Sequence, residues 1–208
     1  ECELQDNEEE LQRRFFQMLR MTCFVLFPLM MGLAALAEPV VRLLLTDKWI
    51  ETVPLIRILC FAWIWWPASN MSWQLLNAKH RSDYCLKAEI IKKVIAISIL
   101  VFSLFWGIKV VCIGMLLYYV ADVYVITVFS ARVLPGVTFA SEMKSMLPIL
   151  AYAAVMGTGV YLLDHMISSD AVSLAAGTAA GIVLYMAVTL LTGSREAWYL
   201  LEMIKKRR

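Results

Sequence analysis

Apolar and polar positions follow one another along this chain in long blocks, not in the short periods of a water-soluble domain. A charged stretch, ECELQDNEEELQRR at residues 1–14, precedes six apolar runs separated by brief polar punctuation. The first run extends from about Phe15 to Leu45 and carries no charge between Met21 and Ala37. The second covers about Thr52–Ala78, broken only by Arg57, and the third about Tyr84–Trp106, with its charges in its first ten residues. The fourth covers about Val110–Val133 and contains Asp122; the fifth and sixth cover about Ser145–Leu163 and Ala171–Gly193. At a helical rise of ~1.5 Å per residue, about 20 residues cross the ~30 Å hydrocarbon layer. Every run is long enough, so the pattern predicts an all-α, polytopic transmembrane bundle with six crossings. A membrane β-barrel would need alternation over segments of about ten residues, and these runs do not alternate. Short connectors make neighbouring helices antiparallel.

Composition agrees. The 208 residues are 61% hydrophobic and 17% charged, against about 45–50% and about 25% in soluble domains, and the mean hydropathy is +0.71. The chain begins at Glu1 with no signal-peptide pattern before the apolar runs, so it is expected to be a piece of a longer protein. The expected organisation is a cytoplasmic polar lead-in at 1–14, four transmembrane helices over 15–133, two additional ones over 134–194, and a basic cytoplasmic tail at 195–208. With six crossings, both ends and the second and fourth connectors share one side. That side holds 15 of the 19 basic residues, leaving Arg42, Lys48, Arg57 and Lys109 on the other. The positive-inside rule makes the basic side cytoplasmic. The five cysteines lack ligand-like spacing, and no metal or other cofactor is expected. Gly157, Gly159, Gly177 and Gly181 have the small-residue spacing that lets helices approach closely.

Few residues carry candidate chemistry. Asp122 falls about mid-membrane, where an acid costs roughly 2.5–3.5 kcal/mol on insertion scales, so it must face a bundle interior or a wet cavity. It reads either as a coupling or substrate-contacting carboxylate, or as an acid paired with a neighbouring base or tyrosine. Arg57 either reaches an anionic group in a cavity or snorkels to the headgroups. After Pro67, the second run carries Ser69, Asn70, Ser72, Gln74 and Asn77. Asn70 and Gln74 are pathway candidates, with hydrogen bonding between helices as the alternative. Lys79, Arg81, Lys92 and Lys93 surround a cytoplasmic turn and are candidates for contact with lipid phosphates. Glu38 and Arg42 flank Pro39 about 18 residues past the cytoplasmic entry of the first helix, and are candidates for an outer gate. No HExxH, glycine-rich phosphate loop or GxSxG occurs, so no enzyme activity is expected, and nothing points to nucleic acid.

The ordered stretches LQDNEEELQRRFFQMLR, FPLMMGLAALAEPVVRLLLTDKWIETVPLIRILC and LLNAKHRSDYCLKAEIIKKV resemble the C-terminal half of bacterial polysaccharide flippases. These are the O-antigen and exopolysaccharide exporters of the multidrug/oligosaccharidyl-lipid/polysaccharide superfamily. The resemblance rests on the A-E-P at Ala37–Pro39, the outer turn Asp47-Lys48-Trp49, and the cytoplasmic turn Asn77–Asp83, where His80 stands in place of a frequent glycine. It is good over residues 4–135 and rests on hydropathy alone beyond them. It implies 12–14 helices in two lobes, of which this chain holds the later six. It implies that undecaprenyl-pyrophosphate-linked oligosaccharide is flipped from the inner to the outer leaflet of the bacterial inner membrane by alternating access. The implied partners are that lipid-linked oligosaccharide, membrane lipids, a polysaccharide polymerase, a chain-length regulator and the missing N-terminal half. A lipid II flippase, a cation-coupled drug antiporter of the same superfamily, or a membrane-embedded polysaccharide-pathway enzyme are the alternatives.

Overall fold

A computed structural model describes residues 2–167, 169–194 and 196, so the expected basic tail at 195–208 lies almost wholly outside the described residues. The described chain forms eight α-helices: α1 (Cys2–Ala35), α2 (Ala37–Leu45), α3 (Val53–Trp63), α4 (Trp66–Ala78), α5 (Ser82–Leu104), α6 (Ile108–Ala131), α7 (Phe139–Met166) and α8 (Asp170–Leu191). A 3-10 turn, Asp47–Thr52, joins α2 to α3, and no strand occurs among the described residues.

Five described segments are long and apolar enough to cross a membrane: Glu8–Ala35, Asp47–Ala78, Ile108–Ala131, Phe139–Met166 and Asp170–Leu191. The remaining expected crossing is α5, which at 23 residues is ~34 Å long. It differs from the others because Lys87, Glu89, Lys92 and Lys93 fall in its first half. Large apolar side chains such as Phe105 and Leu191, 84% and 88% exposed, would be costly in water and are at home against lipid.

Prolines set the places where long apolar runs break. Pro39 has no N–H to offer the carbonyl of Ala35 four residues earlier, and the first run divides at Leu36 into α1 and α2. Pro67 stands in the same relation to Trp63, and the second run divides into α3 and α4 there. Pro28 is accommodated inside α1. The carbonyl it deprives is that of Phe24, which accepts a 2.8 Å hydrogen bond from the Tyr185 hydroxyl of α8.

The described residues divide into two compact units. One comprises the chain up to Cys23 together with Phe61–Leu147; in it α5 packs on α6, and α4 on both. Its core gathers Leu76, Cys85, Ala88, Ile126 and Phe129. Gly136 lies against the Gln12 carboxamide so closely that a Cβ there would fall 2.1 Å from it. The other unit comprises Phe24–Cys60 and the chain from Pro148. The expected glycine packing is found within it. A Cβ at Gly177 would approach Leu36 to 2.7 Å, and one at Gly159 would approach Leu184 to 2.9 Å. Gly181 lies against Val160, and Gly157 against Met31.

Replacing Gly177 by Leu is expected to destabilise the protein by about 1–3 kcal/mol through overpacking. The same change at exposed Thr178 should be within about 0.5 kcal/mol of neutral, both read by thermal unfolding in detergent.

A buried seam of acids and hydroxyls as the candidate functional site

Helix α4 is built with two unlike faces. Ala68, Ser69, Ser72, Leu75 and Leu76 are buried. Trp66 is 38% exposed, Gln74 and Asn77 are exposed and Asn70 is half-buried. At ~100° per residue, Trp66, Asn70, Gln74 and Asn77 fall within an arc of about 80°. The Trp63 ring, at the end of α3, lies 6.4 Å from that of Trp66 and 5.8 Å from that of Tyr119 on α6. The exposed face therefore joins two indole rings to three carboxamides.

The buried face meets two acids. Ser69 donates a short hydrogen bond to Asp122 Oδ2 on α6. Asp122 Oδ1 lies 2.7 Å from Lys92 Nζ on α5. Both residues are buried, at 6% and 7% exposure. Lys92 also reaches Glu89 at 2.9 Å and stands 5.5 Å from the Trp73 ring. The buried acid thus has its base, the arrangement that makes a buried charge tolerable. This corrects one expectation. Lys92 is no headgroup contact, because its place on α5 turns it inward onto Asp122, whereas Lys93 is exposed. Lys79 and Arg81 remain half-exposed at the turn. Arg81 donates to Asp83 at 3.0 Å and lies 3.9 Å from the Tyr84 ring. That hydrogen bond holds the Asp83 carboxyl below its ordinary range.

The second acid, Glu142, was not expected. Helix α7 begins at Phe139 rather than near Ser145. Thr138 and Ser141 cap it reciprocally: Ser141 Oγ accepts from the Thr138 amide at 2.9 Å, and Thr138 Oγ1 accepts from the Ser141 amide at 3.3 Å. The Thr138 carbonyl accepts the first helical bond from Glu142. The added turn carries Glu142 into the seam, where it is fully buried. Ser72 Oγ donates to its Oε1 at 2.7 Å, and Thr127 Oγ1 lies 2.9 Å from its Oε2. A Thr-x-x-Ser box in place of the usual S/T-x-x-E/Q was the signal available in the sequence.

The other candidates lie in the second unit. Arg57 donates from Nε to the Ala34 carbonyl at 3.1 Å, and its guanidinium stands 5.4 Å from the Tyr161 ring. It therefore caps the last turn of α1, a position where the helix dipole favours a cation. Arg42 pairs with Glu38 at 2.8 Å along α2 and approaches Asp47 at 3.8 Å and Asp170 of α8 at 4.0 Å. No metal-binding cluster occurs among the described residues.

Lys92→Met strands Asp122 without its base, and this is expected to cost about 3–5 kcal/mol. Lys93→Met should change stability by less than about 0.5 kcal/mol. Chemical or thermal unfolding of the two variants in lipid discs makes the comparison.

Comparison with known proteins places this geometry in context. Residues 1–54 match the family described as polysaccharide biosynthesis protein. The chain is 32% identical over 104 residues to a membrane protein of the cps region of Klebsiella pneumoniae, covering 50% of this chain and 21% of that protein. It is 29% identical over 91 residues to the lipopolysaccharide biosynthesis protein WzxC of Escherichia coli K12, covering 44% of this chain and 18% of that protein. The matched stretches thus span about a fifth of each relative. No solved structure matches. The chain is a multi-pass helical membrane protein that resembles flippase-type proteins of polysaccharide and lipopolysaccharide biosynthesis.

Proposed function

We propose that this chain forms the later helices of a transporter that moves an undecaprenyl-pyrophosphate-linked oligosaccharide from the inner to the outer leaflet by alternating access. It works in the bacterial inner membrane, with both ends of the described chain on the cytoplasmic side. The observation that carries the proposal is the exposed face of α4. Carboxamides at Asn70, Gln74 and Asn77 offer paired donors and acceptors to sugar hydroxyls. The indoles of Trp63 and Trp66, 43% and 38% exposed, offer flat apolar faces with a polar N–H at the rim. A helix facing hydrocarbon has no use for a row of exposed carboxamides, even with Asn77 Oδ1 accepting from Cys85 Sγ at 3.5 Å, whereas the wall of a wet cavity for a glycan does. The similarity to proteins of polysaccharide and lipopolysaccharide biosynthesis supports the same substrate class.

Transport, not catalysis, fits the seam. Its two acids are closed off by serines, a threonine and a lysine, leaving no nucleophile–base pair facing a substrate. The remainder of the longer chain would supply the opposite wall of the cavity. The polysaccharide polymerase and chain-length regulator would receive the product on the outer side. Lys79 and Arg81 stand at the turn where a pyrophosphate headgroup or acidic lipid would first be met, and Lys93 stands about three helical turns further along α5.

Two outcomes test the proposal. Asn70→Ala combined with Gln74→Ala is expected to lower surface polysaccharide at least tenfold while leaving membrane protein levels unchanged; undiminished polysaccharide would contradict it. A cysteine replacing His80 should resist a membrane-impermeant thiol reagent applied outside spheroplasts, and react once the membrane is opened. Labelling from outside would reverse the orientation.

A further inference from the structure

The two buried acids of the seam differ in one respect that bears on what they bind. Asp122 has a base, Lys92, at 2.7 Å. Among the described residues Glu142 has only hydroxyl groups, Ser72 Oγ at 2.7 Å and Thr127 Oγ1 at 2.9 Å, although it is wholly buried. An isolated carboxylate in such surroundings carries a desolvation cost that is ordinarily met by neutralising it.

The hydrogen inventory accommodates the proton that would neutralise it. A threonine hydroxyl has one hydrogen to give. Thr127 Oγ1 lies 2.7 Å from the Val123 carbonyl, the usual back-bond to the preceding turn, as well as 2.9 Å from Glu142 Oε2. It cannot donate to both. If it serves Val123, an ionised Glu142 leaves two acceptors facing one another at Oε2. A proton on Oε2 resolves this, because Glu142 then donates to Thr127 Oγ1, Thr127 donates to Val123, and Ser72 donates to Oε1. Ser130 Oγ meanwhile donates to the Ser72 carbonyl at 3.3 Å, so every hydroxyl of the cluster has its hydrogen placed.

We propose that Glu142 is a proton-binding site, holding a proton between α4, α6 and α7 whenever this seam is closed. The charged and titratable groups around it are few. Helix α1 contributes a buried thiol, Cys23, to the same unit. Helix α4 presents only hydroxyls. Helices α6 and α5 present the Asp122–Lys92 pair, whose charges cancel one another. Release of the proton leaves a bare carboxylate that the closed seam cannot solvate, so release must accompany separation of α7 from α4 and α6. The site thereby links proton loss to opening of the seam.

The test uses the full-length protein in lipid discs, with glutamate labelled by carbon-13 at its side-chain carboxyl. At neutral pH the infrared spectrum is expected to show a protonated carboxylic acid band that moves with the label. Glu142→Gln should abolish it, since glutamine reproduces the neutral hydrogen-bond pattern. Thr127→Val, which removes the accepting hydroxyl, should shift the same band to higher frequency, a result readable even if the glutamine variant accumulates poorly. Asp122→Asn should leave the band in place. Absence of a label-sensitive acid band would overturn the proposal, as would a band indifferent to both substitutions. A band lost on adding sodium chloride at constant pH would also overturn it, making the site one for a monovalent cation. The readout requires no glycan substrate and is independent of transport.

Discussion

A lysine and an aspartate that lipid would never tolerate separately hold three helices of this protein together. Lys92 of α5 and Asp122 of α6 neutralise each other across 2.7 Å, and Ser69 of α4 closes the remaining carboxylate oxygen. Each partner alone would carry a desolvation penalty of several kcal/mol. The pair therefore dictates the rotation of α5, whose lysine must point inward while Leu86, Ile90 and Val94 face outward. It dictates the rotation of α4 as well. With Ser69 and Ser72 turned to the acids, helical geometry leaves Asn70, Gln74 and Asn77 on the opposite side. The proposed glycan-facing wall is thus a consequence of the buried ion pair.

Two kinds of polar demand recur through the described chain, and each has its own solution. Acids within helices are met by a base or by hydroxyls, and the choice between these separates Asp122 from Glu142. Carbonyls near prolines and helix ends are met by long side chains from elsewhere in the chain, as Tyr185 meets Phe24 behind Pro28 and Arg57 meets Ala34 at the end of α1. Arg57, read from the sequence as a candidate for an anionic contact or for snorkelling, donates from Nε to finish a helix while its Nη2 is buried with no hydrogen-bond partner among the described residues. The Glu38–Arg42 pair lies one turn apart on α2, with Asp47 and Asp170 close by. This ties the outer-gate candidates to the start of α8.

The crossings were legible in the sequence because lipid imposes one requirement on every residue of a span, so composition alone reveals it. Asp122 was legible for the same reason, as a lone acid in an apolar run. What the sequence hid depends on pairing between distant positions. The burial of Lys92 follows from Asp122, 30 residues away, whereas its neighbours Lys87 and Lys93 are exposed. Glu142 was hidden by its neighbours Ser141 and Lys144, which make the start of α7 read as a polar connector. The division of the first run at Leu36 followed from Pro39, but whether that proline bends or breaks the helix depended on packing of Ala37 and Val41 against Val53.

The account assigns the Lys92–Asp122 pair to holding the seam and Glu142 to carrying the proton. The most direct test is the double variant Lys92→Met with Asp122→Asn, reconstituted as full-length protein in vesicles with lipid-linked oligosaccharide. Removing both charges together leaves no fully buried charge unpaired, since Glu89, which also loses its lysine, is partly exposed, so the double variant is predicted to fold better than Lys92→Met alone and to retain most of the proposed flipping activity. A double variant that folds well yet flips nothing would contradict the account, because the ion pair would then be the moving part rather than the frame.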